Sequence, residues 1–334
     1  MSSTTADPAR FVTPLGPGVA RQLGSYELLG RLGVGGMAEV FLARQPLAGG
    51  RLCVLKRVRP EFLGDAAALA MFFEEGRLGM ALEHQHIAKV FDAHHSSEGS
   101  YLVMEWVPGI TLRQLVAWLQ RRQTALDVHL VAQVIADCAG ALQAAHTARS
   151  SDGQPLHIVH RDVSPHNILV SNTGVTKLID FGIARASSRA LSTQRGIVKG
   201  KAFYMSPEQL RDEPLDIRSD LFSLGLVMYE LLTAVRALRV RSELEMLRSP
   251  SWDIAPIEAH RGDVPVELRF ICWKLVSLEP AERFAEPRAL LKMLRPIVPA
   301  SALAERRAAL GELVAQVVAD TTLTPAEPTA ALAR

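Results

Sequence analysis

The hydrophobic periodicity of the chain changes once, at Pro108-Gly109, and that change constrains the fold more than any other feature. Before it, short apolar runs at 26–32, 40–44, 52–58, 89–95 and 101–107 are separated by turn residues and have the length and composition of strands. One stretch, around Ala66–Leu82, carries helical spacing between them. After it, residues 111–122, 130–146, 219–233, 267–276 and 287–298 place apolar side chains three and four apart, the spacing of a helix. The patterns predict an α+β chain: a small, mostly β lobe with one helix over 26–107, then a larger α-helical lobe over 108–297. Residues 1–24, rich in Pro, Gly, Ser and Thr, read as a flexible leader. Residues 298–334 read as a C-terminal helix and tail, with Leu303, Leu310, Leu313 and Val317 on one helical side. Fewer than three heptads are present there, so a packed helix is expected rather than a coiled-coil seam.

Composition excludes several function classes. With 334 residues, 48% hydrophobic and 22% charged, the chain can fill two cores and is not disordered. A formal net charge of +2 offers no bulk attraction to nucleic acid. Cys53, Cys138 and Cys272 are odd in number and far apart, which argues against a disulfide framework and for a reducing cytoplasm. The first residues lack the apolar core of a signal peptide. The most apolar run, Leu221–Tyr229, is far short of the ~20 residues that span a bilayer, so no membrane segment is expected. The paired histidines His84/His86 and His94/His95 do not repeat at ligand spacing and read as structural.

Three groups of residues carry chemistry. Gly33-Val34-Gly35-Gly36 lies between two predicted strands, and glycines let backbone N–H groups approach phosphate oxygens. Lys56 follows in an apolar strand, where an inward ammonium needs an anionic partner. The next helix offers Glu74 and Glu75, and a Lys56–Glu75 pair would hold the ammonium ready for α- and β-phosphates. His160-Arg161-Asp162 with Asn167 five residues after the aspartate, then Asp180-Phe181-Gly182, complete an ordered set.

In this set the chain resembles the bacterial eukaryotic-like Ser/Thr protein kinases over roughly residues 26 to 297. The resemblance implies the two-lobed protein kinase fold and transfer of the ATP γ-phosphate, with Mg²⁺, to protein Ser/Thr hydroxyls. It implies Asp162 as catalytic base and Asn167 and Asp180 as metal ligands. It places Leu32, Gly33, Gly35, Gly36, Val40, Val54, Lys56, Met104, Glu105, Val107, Leu169 and Asp180 around the nucleotide. Met104 takes the gatekeeper place, the backbone of Glu105 and Val107 meets adenine, and Val40, Val54 and Leu169 sandwich the ring. Asp220 is similar to the aspartate that supports the catalytic loop, and Glu208 and Arg283 to a structural pair. His160 is expected to pack beneath the loop rather than act as a base.

Four positions depart from the pattern: Ala38 for a loop glycine, Val54 for an alanine, Ser164 for a lysine, and Lys201 for a threonine. The last two exchange side-chain types, so Lys201 is expected to restore the missing cation beside Asp162. The departures keep an alternative alive, an ATP-binding pseudokinase scaffold. Thr193, then Ser192, are the expected autophosphorylation sites, with Arg161 available to pair a phosphate. Protein substrates are the expected partners, and a transient homodimer stays open. Gly76 and Gly79 lie in the helix bearing Glu75, where each costs about 1 kcal/mol relative to Ala. They either leave the Lys56–Glu75 pair poorly held or allow close packing.

Overall fold

A computed structural model describes residues 8–96, 99–181, 202–238, 245 and 252–321. The first lobe is a six-stranded antiparallel sheet in the order β1-β2-β3-β4-β6-β5. Its strands are β1 (Gln22–Leu23), β2 (Tyr26–Val34), β3 (Ala38–Gln45), β4 (Arg51–Val58), β5 (Val90–Ser96) and β6 (Gly99–Glu105). Both faces are covered. Val40, Leu42 and Val54 pack in one cluster, while Phe41, Ala43, Cys53 and Leu55 pack in another. Two-sided burial explains why these strands read as apolar runs rather than as strict alternation. Helix α1 (Ala66–Met80) is capped by Asp65, whose carboxylate accepts from the Ala68 N–H at 3.1 Å. It lies against β5.

The second lobe begins with a three-stranded sheet, β7 (Gly109–Thr111), β8 (Ile168–Ser171) and β9 (Thr176–Leu178). Its helices are α2 (Leu112–Arg122), α3 (Val128–His146), α4 (Pro207–Arg211), α5 (Ile217–Thr233), α6 (Val266–Leu275), α7 (Pro287–Leu294) and α8 (Leu303–Thr321). Helix α3 is the one described helix long and apolar enough to cross a membrane, yet Val131, Ala132, Val134 and Ile135 are fully buried against the rest of the lobe. It is the central core helix. Helix α8 spends its apolar side within the chain: Leu310, Val314 and Val317 are buried, and α8 meets α2, α3, β7 and β8. Trp118 Nε1 donates to Asp320 Oδ2 at 2.7 Å, tying its far end to α2. At the β8–β9 turn Gly174 has φ +74°, and a Cβ there would lie 1.9 Å from the Arg307 carbonyl oxygen of α8.

One expectation needs correction, and one left open is resolved. The leader read over 1–24 is structured from Pro8 onward. Thr13 and Arg31 exchange both backbone hydrogen bonds at 2.8 Å, β1 pairs with β2, and Leu15 and Val19 pack on the outer cluster of the sheet. Its apolar residues, few as they are, meet a sheet edge that would otherwise be open. The helix glycines, in turn, serve packing. A Cβ at Gly76 would lie 2.5 Å from Leu102 Cδ2, and one at Gly79 would lie 2.6 Å from Val90 Cγ2. At Gly76 the obstacle is the tip of a flexible side chain. At Gly79 it is a β-branched residue that cannot swing aside. Gly79→Ala is therefore expected to lower stability by about 1 kcal/mol, overpacking outweighing the helix gain, while Gly76→Ala stays near neutral. Thermal unfolding of the two variants beside the parent checks this.

Candidate active site

Lys56 enters from the middle of β4, on the same face as Val54 and opposite Leu55. Its side chain is 1% exposed. The ammonium meets Glu75 Oε1 at 2.7 Å and Asp180 Oδ1 at 3.1 Å. Burial alone would lower its pKa, but Asp180 and Glu75 more than offset this and hold it above the usual lysine value. The choice between the two glutamates follows from helix rotation. Glu74 faces outward and takes Arg77 in a two-pronged pair at 2.8 and 2.7 Å, which leaves Glu75 for Lys56.

The loop bearing Asp162 is held from below. Asp220, at the start of α5, accepts the backbone N–H groups of His160 and Arg161, each at 2.7 Å. Burial pushes the Asp220 pKa up to about 7, against the pull of those two donors and of Arg161. Arg161 takes a left-handed φ of 64°, and Asp180 one of 54°. His160 Nε2 lies 3.1 Å from the Ile179 carbonyl oxygen, and its Nδ1 accepts from the Asp162 N–H at 3.3 Å. Both contacts suit the neutral Nε2–H tautomer. The ring lies 4.5 Å from that of Phe181, so His160 is a packed support, as expected.

Asn167 Nδ2 donates to Asp162 Oδ2 at 2.7 Å and to the Asp162 carbonyl at 2.8 Å. That orients the carboxylate and leaves Asn167 Oδ1 buried with no hydrogen-bond donor among the described residues. An amide oxygen so placed, with the Asp180 carboxylate, suits a hard cation such as Mg²⁺. Among the described residues no group of three or more His, Cys, Asp or Glu could hold a metal. Ser164 is 1% exposed, and its hydroxyl is likewise buried without a partner among the described residues.

Six expected residues, Leu32, Val54, Met104, Glu105, Val107 and Leu169, line one cleft between the lobes. The Glu105 N–H donates to the Lys89 carbonyl at 2.8 Å, so a base in the cleft would meet its carbonyl. Val40 is fully buried in the same apolar cluster but is not part of the cleft lining. The glycine turn follows directly on Leu32, which lines the cleft. Gly33 pairs with Val40, the Gly35 N–H closes the turn on the Ala38 carbonyl at 2.8 Å, and Arg59 holds the Gly35 and Gly36 carbonyls at 3.1 and 3.2 Å. Phe11, Ala88, Trp106, Gly109 and Ile179 line the cleft and were not foreseen. Gly109 carried a signal in the change of periodicity at Pro108-Gly109, and a Cβ there would lie 2.1 Å from the Val170 carbonyl oxygen. Phe11 carried none. Lys201, Thr193 and Ser192 lie outside the described residues.

The floor of the site is anchored by Glu208 and Arg283, both buried and joined at 2.6 and 2.9 Å, with Ser219 Oγ donating to Glu208 at 2.7 Å. Gln209 Nε2 then reaches the Arg161 carbonyl at 2.9 Å, connecting α4 to the loop bearing Asp162.

A family model described as protein kinase domain matches residues 26–290. The chain is 36% identical over 274 residues to the tyrosine-protein kinase MasK of Myxococcus xanthus, covering 81% of this chain and 42% of that protein. It is also 36% identical over 274 residues to the serine/threonine-protein kinase PknB of Mycobacterium tuberculosis, covering 79% and 42%. It thus spans less than half the length of these curated relatives. The crystal structure of the M. tuberculosis PknI kinase domain superposes with a TM-score of 0.63 at 25% identity, covering 86% of this chain and all of that one.

Arg283→Met should leave the Glu208 carboxylate buried and uncompensated, at a cost of about 3–5 kcal/mol in denaturant unfolding. Burial would raise the Glu208 pKa, but hydrogen bonds from Arg283 and Ser219 more than reverse this and hold it below the ordinary value. The pair's stabilisation is therefore present above the unfolded carboxylate pKa and lost as pH falls through the lower folded one. That acid-side loss should shrink in Arg283→Met, as pH-dependent unfolding would read directly.

Proposed function

The chain belongs to the protein kinase family, in its bacterial eukaryotic-like branch, and from that premise we propose that it transfers the γ-phosphate of ATP to Ser and Thr hydroxyls of proteins. The observation that carries this reading is the buried Lys56 ammonium held at once by Glu75 and Asp180, with Asp162 oriented by Asn167. Such transfer needs positioning and charge neutralisation more than covalent chemistry. Lys56 grips the α- and β-phosphates, and the backbone around Gly33, Gly35 and Gly36 covers them. Asp162 orients the acceptor hydroxyl and receives its proton. Asn167 and Asp180 would hold Mg²⁺, which would supply neutralisation of negative charge on the phosphate oxygens. The base enters the cleft lined by Val54, Met104, Val107 and Leu169. The three thiols are buried and unpaired, which supports a reducing cytoplasm for this part of the chain.

One observation favours a second reading of the acceptor. A relative of 36% identity is named a tyrosine kinase, and Lys201 stands where Ser/Thr enzymes of the family carry a threonine. The acceptor hydroxyl is thus Ser/Thr in the first reading and Tyr in the second. Thr193 and Ser192 remain the proposed autophosphorylation sites, and Lys201 the proposed replacement cation beside Asp162 and Ser164.

Asp162→Asn and Lys56→Met should each cut phosphate transfer by about 10²–10³-fold, the first with the fold intact and the second with some loss of stability from the carboxylates left without their cation. Radiolabelled ATP measures the loss, and near-parental turnover in Asp162→Asn would sink the assignment. A parent that binds ATP and transfers nothing would instead be the scaffold alternative. Mass spectrometry of the parent and of generic substrates should find phosphoserine and phosphothreonine, with Thr193 foremost; phosphotyrosine alone would establish the second reading. Lys201→Ala should lower kcat far more than the KM for ATP, as loss of a transition-state contact does. Parental kcat in that variant would remove Lys201 from the site.

A further inference from the structure

The segment before the sheet does more than cover an edge. Residues 8–23 run along β2 from the nucleotide side of the first lobe to its outer face, and three observations show that the path is built. Thr13 and Arg31 exchange both backbone hydrogen bonds at 2.8 Å. Val12 sits over Gly30, where a Cβ would lie 2.6 Å from the valine side chain, so the absence of a side chain at Gly30 is the seat for Val12. Leu15 and Val19 then pack on the outer cluster beside Tyr26 and Leu28. The segment is a strap, pinned at both ends to β2.

At its inner end the strap delivers Phe11 into the cleft beside Leu32, Val54, Val107 and Leu169. The Phe11 ring meets Trp106, in the connection between the lobes, edge to face at 5.5 Å and 76°. Trp106 stands between Glu105 and Val107, the residues whose backbone is expected to meet the base. An aromatic ring held there by a rigid neighbour adds apolar surface at the base end of the cleft, with little ordering entropy left to lose on binding.

We infer that Phe11 is a nucleotide-contacting residue and that the strap sets the affinity of the cleft for the adenosine end of its ligand. The inference rests on the nucleotide reading proposed above. A contact remote from the phosphates is made equally in the ground and transition states, so its removal raises KM and leaves kcat in place.

The test is calorimetric titration of the full chain with ATP, adenosine and inorganic tripolyphosphate, alongside steady-state kinetics. Phe11→Ala should weaken ATP and adenosine about tenfold each, equivalent to ~1.4 kcal/mol, with tripolyphosphate binding unchanged. Phe11→Tyr should keep parental affinity. Thr13→Pro, which removes the N–H donated to Arg31, should release the strap, reproduce the loss and add little to it in the double variant. Unfolding midpoints without ligand tell a lost contact from a lost fold: the contact shows as a smaller nucleotide-induced rise from a preserved baseline. Parental nucleotide affinity in Phe11→Ala would overturn the inference, as would an equal loss for tripolyphosphate. A parent that binds neither ATP nor adenosine would overturn the nucleotide reading itself, and this inference with it.

Discussion

A cation buried among carboxylates holds the two lobes in register. Lys56 comes from the sheet, Glu75 from the single helix of the first lobe, and Asp180 from the second lobe. At 1% exposure the ammonium cannot fall back on water, so each carboxylate is part of what makes its burial tolerable. Three distant parts of the chain must therefore arrive together. The close seating of α1 through Gly76 and Gly79 is what brings Glu75 near enough, and the loop held by Asp220 and His160 sets the height at which Asp180 leaves β9. Side chains that touch no substrate thus govern where the charged ones stand.

The second lobe reaches the same end by a different route. Its loop bearing Asp162 is short and irregular, with Arg161 in a left-handed conformation, and it draws its shape from groups beneath it. Asp220 satisfies two consecutive backbone N–H groups, Gln209 takes the Arg161 carbonyl, and Asn167 takes the Asp162 carboxylate. The loop is thus a surface fastened to buried polar anchors, and Glu208 with Arg283 fastens the anchors in turn. Such a design concentrates charge below the site, where any unpaired member costs far more than a surface ion pair gains.

Much of this was legible in the residues. All five predicted strands and all seven predicted helices form close to their expected bounds, because each carries a period that one or two buried faces demand. Lys56, Asp162, Asn167 and Asp180 stood out because a lysine in an apolar strand and a fixed spacing of polar residues in a loop have few other uses. What was not legible depended on contacts between distant segments. Gly76 and Gly79 read equally as weakness or as fit until Leu102 and Val90 were seen opposite them. Phe11 sits among turn residues with no period at all, and its place follows from Gly30 and Arg31, some twenty residues away. The closing of the glycine turn by Arg59 was not legible either, since Arg59 lies more than twenty residues further along the chain.

Helix α8 has a meaning for where this protein can be divided. The family match stops at residue 290, ahead of α8, yet Leu310, Val314 and Val317 are buried by surfaces inside that match. Burying each such side chain contributes about 1.5–3 kcal/mol. Together they amount to a sizeable part of the 5–15 kcal/mol that typically separates a folded domain from its unfolded state. A cut at the family boundary would uncover an apolar strip on α3 and the second sheet and strand the Gly174 turn, whose left-handed backbone is seated against α8. The stretch that the family model matches is thus shorter than the unit that folds, and a fragment trimmed to the first would expose a sticky seam where the second has a finished surface.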